Sequence, residues 1–186
     1  KKRIMSQTKV TILLPVYNGQ ETLARAISSI INQTYLDWKL LILEDGSNDN
    51  TLSIARSFKD ERIKIICDGL HLGIVKRLNQ GIQLTDTPYI VRMDADDVSY
   101  PERLKKQVSF LEANPTIDLV GTSMRILNKK GKVIGNRIFP TSHVQIIAQP
   151  WLKSISVAHP TWCGRVEWFQ KWQYHEYMRN EDQELL

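Results

Sequence analysis

The chain has 186 residues, enough for one domain with a real core, and its 42% apolar and 24% charged fractions are those of a globular protein rather than a disordered one. No run approaches the ~18 apolar residues of a membrane span. Lys1, Lys2 and Arg3 supply three charges of the net +5, so the basic balance points to an anionic ligand or membrane surface more than to nucleic acid, whose binders need a basic stripe where these charges look scattered.

The first two thirds of the chain alternate strand and helix signals. Val10 to Leu14 is a short apolar strand. Asn18 precedes Glu21 by three, the spacing of an N-cap with its acid. Leu23, Ala26, Ile27, Ile30 and Ile31 then fall on one helical face. Trp38 to Leu43 reads as a second strand, Thr51 to Phe58 as a helix and Ile63 to Ile66 as a third strand. Ile74, Leu78 and Ile82 form another helical stripe, Tyr89 to Met93 a fourth strand, and Pro101 to Glu112 a helix. Strands alternating with helices predict an α/β fold, a mostly parallel sheet with helices on both faces. Ligands bind such sheets beyond the carboxyl ends of the strands.

After Asn114-Pro115 the rhythm changes. Leu119 to Leu127 and Val133 to Phe139 are strand-like and joined by the turn Asn128-Lys129-Lys130-Gly131. The remainder is harder to read and holds Trp151, Trp162, Trp168 and Trp172. Residues 1–9 read as a tail and 10–186 as one domain. Cys67 and Cys163, far apart in sequence, fit neither a disulfide framework nor a metal knuckle, and are expected to be buried thiols in a reducing compartment. Lys1-Lys2-Arg3 lacks the apolar segment a signal peptide needs. The expected location is cytoplasmic, peripheral to the inner face of the plasma membrane.

The strand ends carry the chemistry. Pro15, Val16, Tyr17 and Asn18 follow the first, Glu44-Asp45-Gly46-Ser47 the second, and Asp94-Ala95-Asp96-Asp97 the fourth. A parallel sheet brings these loops to one acidic edge. Three carboxylates within four residues resist full ionisation without a cation nearby. Helix capping is an alternative role, but Ser99 and Glu102 already have capping-box spacing. Mg²⁺ or Mn²⁺, held by one or two carboxylates and substrate phosphates, would suit the aspartates. Asp45 is either a turn residue or an acceptor for a ligand N–H, with Gly46 allowing close approach. Tyr17 is either a half-buried aromatic or a platform for a planar base.

The stretch "VTILLPVYNGQETLARAISSIINQTYLDWKLLILEDGSNDNT", followed by "VRMDADD", "HPTWCGR" and "NEDQELL", resembles family 2 glycosyltransferases of GT-A fold from about Val10 to Leu186. The resemblance implies an inverting, metal-dependent transfer of a sugar from a nucleotide donor, typically a UDP-sugar, to a carbohydrate or lipid-linked hydroxyl. It also implies a role in bacterial cell-surface polysaccharide synthesis. Residues 10–114 become the nucleotide-binding half and 115–186 the acceptor side. By position, Pro15 and Tyr17 match the loop flanking the base, and Asp45 the carboxylate that reads it. Asp94 matches the residue near the ribose or sugar, Asp96 the metal ligand (Mn²⁺ or Mg²⁺), and Asp97 belongs to the same loop. Asp182, beside Glu181, matches the catalytic base.

Other readings stay open. Asn180-Glu181-Asp182 also suits the first turn of a helix. Many relatives carry Arg-Asn where this chain has Leu78-Asn79, so Lys76 or Arg77 is either the charge near the diphosphate or a solvated helix cation. His159 either lines the donor site or is structural. The tryptophans either stack on a sugar acceptor or pack the core. The chain is expected to stop short of the protein's natural end, with "DQELL" early in a helix. A nucleotidyltransferase would usually show a Gly-rich basic loop after the first strand, absent here. A nucleotide-binding module without turnover is the non-enzymatic alternative.

Overall fold

A computed structural model of the chain describes residues 8–128, 130–148 and 157–175. The elements in order are β1 (Val10–Val16), α1 (Leu23–Ile31), β2 (Trp38–Glu44), α2 (Thr51–Ser57), β3 (Ile63–Ile66), α3 (Ile74–Gln83), β4 (Tyr89–Arg92) and α4 (Arg103–Ala113). There follow β5 (Leu119–Val120), β6 (Met124–Leu127), β7 (Val133–Arg137), α5 (His143–Ala148), β8 (Cys163–Arg165) and α6 (Val166–Lys171). The main sheet is ordered β3-β2-β1-β4-β8-β5. Its first four strands are parallel, and β8 runs antiparallel to β4 and β5. The fold class is therefore the predicted one, a mostly parallel α/β sheet.

Alternation along β1 explains the two layers. Val10, Ile12, Leu14 and Val16 face a core with Leu23, Ala26, Ile27 and Ile30 of α1, Ala55 of α2, and Leu104, Val108 and Leu111 of α4. Leu13 turns the other way, to Leu78 and Ile82 of α3 and Phe169 of α6. The buried face of α1 is the predicted stripe, with Ile31 partly buried at its end. α3 can lie flat on the sheet because Gly81 has no side chain: a Cβ there would come within 2.8 Å of Leu13 and 2.9 Å of Leu43.

The predicted caps differ. Asn18 does not cap α1; it adopts a left-handed φ of 52°, and the first helical N–H groups turn back on Gly19 O. Its side chain instead accepts from Asn48 N–H (3.0 Å) while its own N–H meets Ser47 Oγ (3.0 Å). Nor does Ser99 form a capping box with Glu102. α4 begins at Arg103, with no side-chain cap. The cause is Gln33, buried at the end of α1. Its amide nitrogen reaches Tyr100 O (2.7 Å) and Ser99 Oγ (3.2 Å), and its Oε1 accepts from Leu104 N–H (3.1 Å). One side chain thus ties α1 to the segment between the acidic loop and α4.

The long strand read over 119–127 is broken in two. The chain leaves the main sheet at Gly121, where Val157 packs so closely that a Cβ would sit 2.0 Å from it. β6 then pairs only with β7, as a separate ribbon. Trp38 and Trp162 are core residues, Trp168 packs edge-on to Trp162 at 6.0 Å, and Trp172 is exposed. Trp151 lies outside the described residues. Cys163 is buried, its thiol pushed up to about 12 by desolvation, whereas Cys67 is on the surface, against expectation. β3 ends at Ile66, which leaves Cys67 in the loop, where its Sγ reaches Glu44 Oε2 (3.2 Å). Among the described residues no helix is long and apolar enough to cross a membrane.

Replacing Gln33 by Ala strands the Leu104 N–H in a buried setting. The expected loss is about 1–3 kcal/mol, read as a lower urea midpoint with an unchanged slope.

Candidate functional site

The strand register places the site. Val16 pairs with Glu44, and Asp45 N–H reaches Val16 O at 2.9 Å, so Tyr17 and Asp45 emerge side by side. β4 joins β1 through Leu13 and Arg92, which brings Asp94 up beside them. The result is a cleft lined by Pro15, Val16, Tyr17, Asp45 and Asp94 from the strand ends, and by His71, Gly73, Ile74 and Arg77 from the loop before α3 and its first turn.

Asp45 is the most heavily bonded side chain in the cleft. Its Oδ1 accepts from Leu72 N–H (2.7 Å) and Arg77 Nε (2.8 Å), and its Oδ2 from Gly73 N–H (3.0 Å). His71 Nδ1 lies 2.9 Å from the same Oδ2 and 3.1 Å from Asp45 O. Both neighbours are acceptors only, so Nδ1 carries the proton. Burial opposes ionisation of Asp45, but the bonds from Leu72, Arg77 and Gly73 outweigh it and hold its pKa below the usual carboxylate range. Of about four acceptor positions on the carboxylate, three are filled by these bonds, and His71 stands beside the fourth. Gly46 does have the predicted freedom, at φ 71°, but what approaches it is the protein's own chain: a Cβ would meet Leu70 C at 2.8 Å.

Arg77 is fully buried. Its Nη2 donates to Asp68 Oδ1 (2.6 Å) and Leu70 O (2.6 Å), and its Nη1 to Asp68 Oδ2 (3.0 Å) and Gln80 Oε1 (3.0 Å). The guanidinium holds the Asp68 carboxyl down at about 2. Lys76, the neighbour expected near a diphosphate, is exposed and is not among the residues lining the cleft. Helix geometry separates the two: Arg77 lies four residues before Gly81, on the side of α3 that meets the sheet, and Lys76 does not.

The three aspartates cluster as expected. One oxygen from each of Asp94, Asp96 and Asp97 lies within 4.8 Å of the others. Asp94 forms an ion pair with Arg92, which is buried at the end of β4. Arg103 donates from beneath to Arg92 O (2.8 Å), and burial lowers its own pKa to about 10. Desolvation, then Asp94 and Asp96, push the Asp97 carboxyl up to about 6. Hard oxygen donors at this spacing fit Mg²⁺ or Mn²⁺. With Asp94 engaged by Arg92, Asp96 and Asp97 are the less encumbered ligands.

His159 stands apart. It is buried, with Nε2 2.7 Å from Tyr174 Oη and its ring edge-on to Trp162 at 4.8 Å. Burial, then Arg92, hold its pKa well below the ordinary value, so it is neutral. It is not among the cleft-lining residues. Asp182 and Glu181 lie outside the described residues. Sequence reasoning did not single out His71 or Arg92 and left Arg77 open between a charge near the diphosphate and a solvated helix cation. Two signals were present: an arginine inside a buried strand needs a partner, and Arg77 shares its helix side with Gly81.

A cluster of three aspartates and a cleft lined by Tyr17, Asp45 and Asp94 thus share one edge of a mostly parallel α/β sheet. Residues 11–172 match the profile of "Glycosyl transferase family 2", and the chain belongs to that family. It is 39% identical over 139 residues to the putative glycosyltransferase EpsE of Bacillus subtilis, covering 73% of this chain and 50% of that one. It is 30% identical over 136 residues to the E. coli UDP-Glc:alpha-D-GlcNAc-diphosphoundecaprenol beta-1,3-glucosyltransferase WfgD, covering 73% and 53%. The chain thus spans about half the length of these relatives. Among solved structures, S. aureus TarS 1-349 in complex with UDP superposes with a TM-score of 0.77 at 19% identity, over 95% of this chain and 53% of that one. The mannosyltransferase PcManGT from Pyrobaculum calidifontis, in complex with GDP-Man and Mn2+, gives 0.67 at 15% identity, over 92% and 48%. These likenesses establish the GT-A fold.

Arg77→Met leaves Asp45 and Asp68 without their cation, and is expected to cost about 3 kcal/mol or more at neutral pH. Both carboxyls are depressed in the fold, Asp68 to about 2, so their contribution is present above about pH 4 and is lost as pH falls through the folded values. The stability gap between wild type and variant, measured by urea unfolding, should shrink over that window.

Proposed function

We propose that the chain is the donor-binding part of an inverting, metal-dependent glycosyltransferase that takes its sugar from a nucleoside diphosphate, UDP foremost. The acceptor is a carbohydrate or lipid-linked hydroxyl of bacterial cell-surface polysaccharide synthesis, met in the cytoplasm at the inner face of the plasma membrane. The observation that carries this reading is the pose of His71. Its ring leans on Tyr17, centroids 4.2 Å apart and planes at 39°, while its ring N–H donates to Asp45 O (3.1 Å) and stands 2.9 Å from Asp45 Oδ2. A nucleobase would make the same two contacts, one aromatic face on Tyr17 and one N–H to Asp45.

With three acceptor positions of Asp45 filled, the base takes the fourth, beside which His71 stands. Leu72 and Gly73 are backbone and Arg77 is buried, whereas the His71 side chain is 59% exposed. His71 is the group that yields. Pro15 shapes the loop beneath the base, Asp94 lies toward the ribose or sugar, and Asp96, with Asp97, would hold Mn²⁺ or Mg²⁺. Such a cation would neutralise charge on the departing diphosphate. Asp182 takes the proton from the acceptor hydroxyl, whose oxygen attacks the anomeric carbon opposite the leaving group. UDP-bound TarS and the Mn²⁺-bound PcManGT support the donor and metal classes by likeness of fold.

Calorimetric titration of the chain with UDP, GDP and dTDP, each with and without Mn²⁺, tests this. The expected result is Mn²⁺-dependent binding of UDP, lost in Asp96→Ala and weakened as pH falls below about 6, where Asp97 keeps its proton. His71→Ala should bind UDP several-fold tighter, about one lost hydrogen bond's worth. Absence of binding to every nucleotide by a folded chain would contradict the reading. Binding without transfer or donor hydrolysis in the full-length protein would leave only a nucleotide-binding module.

A further inference from the structure

The positive charge is not scattered along this chain. Residues 119–166 contain seven of the 25 Lys and Arg and none of the 20 Asp and Glu, while the rest of the chain carries 18 and 20. The whole net charge therefore resides in one acid-free stretch. Its centre is the β6–β7 ribbon, which stands apart from the main sheet. Arg125, Lys130, Lys132 and Arg137 are exposed there.

The same ribbon exposes aliphatic side chains that nothing among the described residues covers. Ile126 is 46% exposed and Ile134 63%, and just beyond the ribbon Ile138 is 81% and Val144 72% exposed. A two-stranded ribbon alone buries too little to be stable in water, so a surface of this kind marks an interaction site. Charge decides the partner. A second copy of the chain, meeting this patch through a two-fold axis, would set like charges against one another. Nucleic acid would engage the cations but leave the isoleucines wet. An anionic bilayer satisfies both, taking aliphatic side chains into the acyl boundary and cations at the headgroups.

We propose that the β6–β7 ribbon and the segment leading into α5 dock the protein on an anionic lipid surface. This deepens the peripheral membrane location proposed above and rests on it. The docking surface also adjoins the site: the Arg125 guanidinium lies 5.5 Å from the ring centroid of Tyr100, three residues past Asp97. Docking through the ribbon brings the acidic loop to the membrane, where a lipid-linked acceptor resides.

Flotation of the chain with vesicles of phosphatidylcholine, alone or mixed with phosphatidylglycerol, tests the surface and needs no nucleotide, so its failure and that of donor binding are distinguishable. Binding is expected to the mixed vesicles only, and to fall with salt. Lys130→Ala/Lys132→Ala should weaken it about 30-fold, and Ile134→Ser/Ile138→Ser by about tenfold or more. Both pairs are exposed, so melting temperatures should match wild type. No partition to the mixed vesicles, or partition that neither double variant alters, would overturn the proposal. So would a dimer without vesicle binding that Ile134→Ser/Ile138→Ser abolishes, which would assign the surface to a second copy.

Discussion

The buried guanidinium of Arg77 holds the cleft together. Removing an arginine from water costs several kcal/mol unless its donors are matched by close acceptors. Here they are met by Asp45 on the end of β2, by Asp68 and Leu70 in the loop that follows β3, and by Gln80 one turn along α3. The loop is therefore fixed against the sheet, and with it the backbone N–H groups of Leu72 and Gly73 and the ring of His71. Asp45 is held ionised and oriented by the same contacts.

The second half of the site follows a similar rule with the signs reversed. Three carboxylates crowd together at the end of β4, above two arginines, Arg92 and Arg103. Burial, then the charges of Asp94 and Asp96, outweigh the two arginines, and Asp97 retains a proton up to about pH 6. A divalent cation would release that proton and take its place. The parallel sheet makes both halves neighbours: the carboxyl ends of β1, β2 and β4 lie on one edge, so the cleft at Tyr17 and Asp45 adjoins the aspartate cluster.

Much of the scaffold was legible in the sequence because burial imposes period. The stripe at Leu23, Ala26, Ile27 and Ile30 and the strands at 38–43 and 63–66 stand close to where spacing put them. What failed was local polar chemistry with a distant partner. Asn18 had the right spacing for a cap, but Ser47 and Asn48 claimed it from another loop. Gln33 carried no motif, yet it sets the start of α4. Arg77 and Lys76 differ by one position, and only the packing of α3 on the sheet tells which is buried. The aspartate cluster at 94–97 was legible because its crowding in sequence is itself the physical signal; His71 was not, because its partners lie 26 and 54 residues away.

The central claim is that one edge of the sheet binds a cation and a nucleotide as a single unit. Paramagnetic broadening of amide signals by sub-stoichiometric Mn²⁺, with UDP present, addresses it most directly. The account predicts broadening centred on residues 94–97 and reaching Tyr17 and Gly73, with residues at the opposite end of the sheet, such as Val10 and Trp38, left sharp. Broadening centred elsewhere, or a centre at 94–97 that UDP neither strengthens nor extends toward Tyr17, would contradict it.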